Sequence, residues 1–127
     1  MSDSSADPLS PSPACDRHSL RLAVGGDESI VRELLELYRQ ESPKLRNAVQ
    51  NALGKGDAEL LRRAAHSLKG TLGSMCAHEA SAAAEVLELI ARSGELTAAD
   101  VAFADLQRKL DRLAREIEQY LTERNSP

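Results

Sequence analysis

The sequence predicts an all-α protein, an antiparallel up-down four-helix bundle with a short additional N-terminal helix. Aromatic residues are 2% of the chain, only Tyr38, Phe103 and Tyr120, so a core must be built from leucine, alanine and valine, which suits closely packed helices better than a β-sandwich. Apolar residues also recur three and four apart over long stretches, the spacing of one helix face. Short glycine- and aspartate-containing junctions separate these stretches, and short connections imply antiparallel neighbours.

Residues 1–14 carry Pro8, Pro11 and Pro13 among serines and cannot bury enough apolar surface to offset ordering entropy. They are expected to be a disordered tail or linker, with Cys15 at its end. A bundle domain is expected over residues 15–124 and a frayed C-terminus over 125–127. A short amphipathic turn from Asp16 to Val24 presents Leu20, Ala23 and Val24, and Gly25-Gly26 stops it. Asp27 then caps a long helix by accepting from free first-turn amides, and Glu28 suits its dipole. Ile30, Leu34, Leu37 and Tyr38 mark its apolar face, continued by Leu45, Val49 and Leu53. Pro43 removes one backbone donor and disfavours helical geometry at Ser42, which predicts a kinked continuous helix, with two separate helices as the alternative.

The run Gly54-Lys55-Gly56-Asp57 ends that helix and caps the next, which extends to about Met75. After Cys76-Ala77, a helix turns Ala80, Ala83, Ala84, Leu87 and Ala91 inward and ends at Ser93-Gly94. Thr97 is expected to cap the last helix, whose seam is Phe103, Leu106, Leu110, Leu113, Ile117 and Tyr120.

Composition excludes several function classes. A net charge of −4 with 28% charged residues gives no basic excess for generic nucleic-acid binding. No apolar run approaches the roughly 20 residues that span a bilayer, and with a serine-, aspartate- and proline-rich N-terminus no signal peptide is expected. Two cysteines so placed make no disulfide framework and fit a reduced compartment. A cytoplasmic monomer is expected. There is no nucleophile elbow, phosphate-cradling loop or metalloprotease helix motif, which argues against autonomous ATP-dependent kinase activity. Cys76 and His78 lack the second pair that a zinc site needs, and His18 and His78 read as surface residues.

One histidine differs. At about 100° per residue, Arg62, Lys69, Gly70 and Gly73 project within roughly 60° of His66, while Leu61, Ala64, Leu68, Leu72 and Met75 cluster on the opposite side. Two glycines in a helix cost roughly 1 kcal/mol each relative to alanine, and both lie on the histidine's face, where a missing side chain leaves the ring open. A neutral imidazole is a competent nucleophile through its outward nitrogen, Nε2, provided Nδ1 keeps its proton on an acceptor. Glu88, one turn beyond Ala84 on the following antiparallel helix, could be that acceptor; the simpler reading is a solvated helix residue. Lys69 can offset the charge of a phosphoryl group, and Arg62 can add a weaker attraction.

These residues resemble the histidine phosphotransfer (HPt) domain family over nearly the whole chain after the tail. The family signature of histidine, any residue, leucine, lysine, glycine and small residues is matched by His66, Leu68, Lys69 and Gly70. Ala23-Val24-Gly25-Gly26-Asp27 resembles the family's lead into its first long helix, and Gly56-Asp57 followed by Arg62-Arg63-Ala64-Ala65 resembles its approach to the histidine. The resemblance implies a phosphorelay intermediate in which His66 accepts a phosphoryl group from a receiver-domain aspartate and passes it to another response-regulator receiver. The receiver of a hybrid sensor histidine kinase is one candidate partner. By the same resemblance Lys69 is the charge partner, Gly70 and Gly73 give the receiver clearance, and Glu88 orients the imidazole. No cofactor or metal is expected on this chain, magnesium being held by the receiver. Thr71 and Leu72 stand where the family often has serine or alanine, and Cys76 where glycine is usual. The different-class alternative is a helical adaptor that binds a signalling partner without phosphorylation. A small hydrolase using His66 as general base lacks a paired nucleophile.

Overall fold

The computed structural model describes residues 13–124; residues 1–12 of the expected tail and the expected frayed end over 125–127 lie outside them. Five helices run in order, α1 (Arg17–Ala23), α2 (Glu28–Lys55), α3 (Ala58–Ser74), α4 (His78–Ser93) and α5 (Ala99–Arg124), with no strand among the described residues. The four long helices form the antiparallel bundle, α3 packing most extensively on α4, and the short α1 lies against α2. Among the described residues, no helix is long and apolar enough to cross a membrane.

Local chemistry explains the boundaries. Asp16, Asp27 and Asp57 each turn a carboxylate onto the first-turn amides of α1, α2 and α3. Gly56 and Gly94 close α2 and α4 in the left-handed conformation, at φ 64° and 77°. Helix α2 is continuous through Pro43. Thr97 does not cap α5: its hydroxyl donates to the Glu95 carboxylate, and the helix begins at Ala99, too late for a cap at 97.

The core is leucine and alanine, as the composition requires. Leu61, Leu68 and Leu72 of α3, Ala84 and Leu87 of α4, and Leu106 and Leu113 of α5 are fully enclosed. Each buried leucine contributes about 2 kcal/mol of apolar transfer free energy. The expected inward faces of α4 and α5 are all buried. On α2 the expected face holds at Tyr38 and Val49, which are buried, but elsewhere the enclosed positions are shifted to Val31, Leu35 and Ala52, whereas Ile30 and Leu37 are exposed and Leu34, Leu45 and Leu53 are half-buried. Two apolar stripes overlap on α2, which packs on α3 most extensively and also on α5 and α1, and the stripe through Val31 and Leu35 is the one enclosed. On α1 only Leu20 is buried; Ala23 is exposed and Val24 half-buried.

Three arginines seven residues apart line α2 against α5. Arg32 donates to the Leu121 carbonyl at 3.2 Å, Arg39 pairs with Glu118 at 2.8 Å and Arg46 with Asp111 at 2.9 Å.

Ala14, the last residue of the expected tail, belongs to the fold, as does Cys15, the first of the expected domain. Ala14 and Cys15 are buried, and their backbone amides donate to the two carboxylate oxygens of Glu116 on α5. The Cys15 thiol donates to the Met75 carbonyl at 3.2 Å, and burial, with the Cys76 thiol and Glu116 nearby, pushes its pKa up to about 12. Composition misplaced this segment because the partners that enclose it lie far away in sequence. The Asp16 amide adds a bond to the Cys76 carbonyl at 2.9 Å, so the segment straps α5 to the turn between α3 and α4.

That turn holds Cys76 at φ 56°, a left-handed conformation that costs a residue with a Cβ about 1 kcal/mol. A glycine would adopt this conformation without that cost. Cys76→Gly should raise stability by about 1 kcal/mol in thermal or urea unfolding, since the carbonyl that receives Asp16 is retained. A loss of stability would show that the half-buried side chain outweighs the backbone strain.

Candidate functional site

Helix α3 carries its apolar residues inward at Leu61, Ala65, Leu68, Leu72 and, at its end, Met75. Ala64, expected among them, is half-buried, and the enclosed Ala65 takes the inner position. The opposite face is open: the His66 side chain is 61% exposed. Gly70 faces open space, and a Cβ on Gly73 would meet only the Ser81 hydroxyl at 3.7 Å, an ordinary contact. Neither glycine has a left-handed backbone. Nothing within the fold demands glycine at either position, so the clearance they leave is external.

The antiparallel course of α4 brings Glu88 level with His66. His66 Nδ1 lies 3.0 Å from Glu88 Oε2, and Lys69 Nζ lies 2.8 Å from Oε1 of the same carboxylate. Glu88 is 2% exposed, the one buried charged side chain of the described residues. A carboxylate taken from water is held charged only by compensating partners. Lys69 supplies the largest stabilisation, followed by the hydrogen bonds from Arg92 and His66. Together they outweigh desolvation and lower the Glu88 pKa from its ordinary 4.5 to about 2.

At neutral pH Glu88 is thus ionised and can only accept hydrogen bonds. Nδ1 must carry the ring proton and donate it to Oε2. In the neutral ring this leaves the lone pair on Nε2, the nitrogen away from Glu88. Burial of the carboxylate on one side of the ring, with exposure of the ring on the other, fixes tautomer and direction together.

Arg62, placed on this face by its spacing, is turned to Glu59, with Nη2 2.6 Å from that carboxylate, so it borders the site without touching His66. Two contributors were not anticipated. Arg92 donates to Glu88 Oε2 at 3.1 Å, and the Ser81 hydroxyl donates to the Lys69 carbonyl at 3.2 Å, tying α4 to α3 beside the site. The Glu88–Arg92 spacing of four residues, acid first, is a favourable helical pair and was the available signal. Ser81 had none. His78 is 69% exposed and 3.9 Å from Asp16, remote in role from His66. No group of three or more potential metal-binding side chains occurs among the described residues.

The depressed Glu88 pKa sets a pH dependence. Its folded value lies below the unfolded one, so its contribution to stability is present above about pH 4.5 and is lost as pH falls towards 2. Thermal midpoints of the wild type should fall across this window more steeply than those of Glu88→Gln, which carries no titrating group there. Parallel slopes would refute the assignment.

The family model described as Hpt domain matches residues 33–116, well over half of the chain. Among solved structures, the crystal structure of histidine-containing phosphotransfer protein B (HptB) from Pseudomonas aeruginosa PAO1 is similar, with a TM-score of 0.81 and 27% sequence identity. The match covers 89% of this chain and 98% of that one. No curated protein matches the sequence significantly.

Proposed function

Because the chain belongs to the Hpt domain family, we propose that it is a phosphorelay intermediate whose His66 takes a phosphoryl group from the aspartyl phosphate of one receiver domain and passes it to the aspartate of another. The observation that carries this reading is the Nδ1 contact with buried, ionised Glu88, which in the neutral form of the exposed ring leaves the lone pair on Nε2.

The chemistry is an in-line displacement. The Nε2 lone pair forms the N–P bond as the O–P bond of the aspartyl phosphate breaks, and the receiver carboxylate leaves with that electron pair. The Nδ1 proton stays on the ring, so positive charge develops there, next to the Glu88 carboxylate. Phosphoryl transfer asks the protein chiefly for alignment and charge stabilisation. Glu88 supplies alignment of the ring, and Lys69 the charge that neutralises the phosphoryl oxygens. Gly70 and Gly73 admit the receiver to the histidine, and Arg62 lies at the edge of that docking surface. The second transfer is the same displacement in reverse. This chain needs no cofactor of its own in this scheme; magnesium belongs to the receiver.

The test is to mix the protein with a receiver carrying labelled aspartyl phosphate and follow the label over time. Label should move to this chain as an acid-labile, alkali-stable phosphoramidate, map to the peptide containing His66, and be discharged by a second receiver. A receiver that binds without transferring label would establish the adaptor reading instead.

A further inference from the structure

Arg92 lies one turn beyond Glu88 on α4, and its guanidinium is the third partner of that carboxylate. Oε2 accepts from both His66 Nδ1 and Arg92 Nη2, whereas Oε1 is paired with Lys69 alone. This division matters because Lys69 has two claims on it. In the resting structure its ammonium is drawn to Glu88 at 2.8 Å. A phosphoryl group arriving at Nε2 would be on the far side of the ring, and Lys69 can neutralise it only by loosening that contact.

Loosening it from a carboxylate as buried as Glu88 would be strongly unfavourable if Lys69 were the one cation there. Arg92 removes this obstacle. Its side chain is 56% exposed, with the guanidinium reaching Oε2 from the solvent edge, and a guanidinium keeps its charge at every accessible pH. It can therefore hold Glu88 while Lys69 turns.

We propose that Arg92 is a positioning residue: it holds Glu88 Oε2 against His66 Nδ1 and keeps the carboxylate charge-balanced while Lys69 swings from Oε1 to the phosphoryl group on His66. The inference rests on His66 being the phosphoacceptor. The bonds made and broken are those of the displacement above; Arg92 neither gives nor takes a proton.

Two measurements on Arg92→Gln test it, with Arg92→Lys as the conservative control. In the resting protein, the ¹⁵N shifts of the imidazole report the share of the Nδ1–H tautomer, which should fall in Arg92→Gln and recover in Arg92→Lys. In transfer from a phosphorylated receiver, Arg92→Gln should lower kcat roughly tenfold with KM changed less than about twofold, the pattern of a misplaced catalytic group. In a Lys69→Ala background the same substitution should cost clearly less kcat, because the share of the loss that comes from releasing the lysine is gone and only the share that comes from the imidazole tautomer remains. Unchanged tautomer and kcat in Arg92→Gln, or equal losses with and without Lys69, would overturn the proposal. A rise in KM alone would make Arg92 a receiver contact and overturn it as well. If the wild type takes label at a residue other than His66, the functional reading fails, while the tautomer measurement still judges the hold of Arg92 on Glu88.

Discussion

A His66→Gln variant is expected to keep its fold and lose phosphoryl acceptance by roughly a thousandfold or more. The two halves of this expectation have separate causes. Stability should change by less than about 0.5 kcal/mol, because the side chain is mostly in solvent and a glutamine amide can donate to Glu88 Oε2 in place of Nδ1. Acceptance is lost because an amide nitrogen delocalises its lone pair and offers no equivalent of Nε2. Circular dichroism melts and labelled transfer from a receiver measure both on one sample. Undiminished label on the variant would remove His66 from the mechanism.

Glu88→Ala is expected to have the next largest effect, and it acts on both rate and stability. Without the acceptor on Nδ1 neither tautomer is held, and the ring is free to turn, so transfer at saturating receiver should fall about a hundredfold. Stability should fall by about 1–3 kcal/mol, since Lys69 and Arg92 lose the charge they share and a void replaces a buried side chain. Glu88→Gln separates the contributions. It preserves volume and one acceptor oxygen but cannot serve His66 and both cations as an anion, so its rate should lie between wild type and alanine. A wild-type rate in Glu88→Ala would mean that exposure alone makes His66 reactive.

The site was legible in the sequence to the extent that it follows helical angle. His66, Lys69, Gly70 and Gly73 share a face because their spacing allows nothing else, and the structure keeps them there. Glu88 needed a second helix at the right height. The short turn through Cys76 and Ala77 limited the possible registers, but the choice between acceptor and solvated residue depended on how α4 packs on α3. Its partner Arg92 could have been read from local spacing alone. What stayed hidden depended on distant segments: Val31 rather than Ile30 is buried because of how α2 is set against the other helices, and Ala14 and Cys15 are tied to a carboxylate about a hundred positions away. Thr97 failed as a cap for a local reason, the competing carboxylate of Glu95 two residues before it.

The arginines of α2 act as a vernier. Exposed ion pairs add little to stability, yet Arg32, Arg39 and Arg46 meet partners on α5 at three heights along one line. A bundle with a leucine- and alanine-rich core could slide one helix past another by a turn at modest loss of apolar contact. Such a slip would put all three guanidiniums out of step at once. Alignment of α2 with α5 is thereby marked by two ion pairs and one bond to a backbone carbonyl, which leaves the interior free to be chemically uniform.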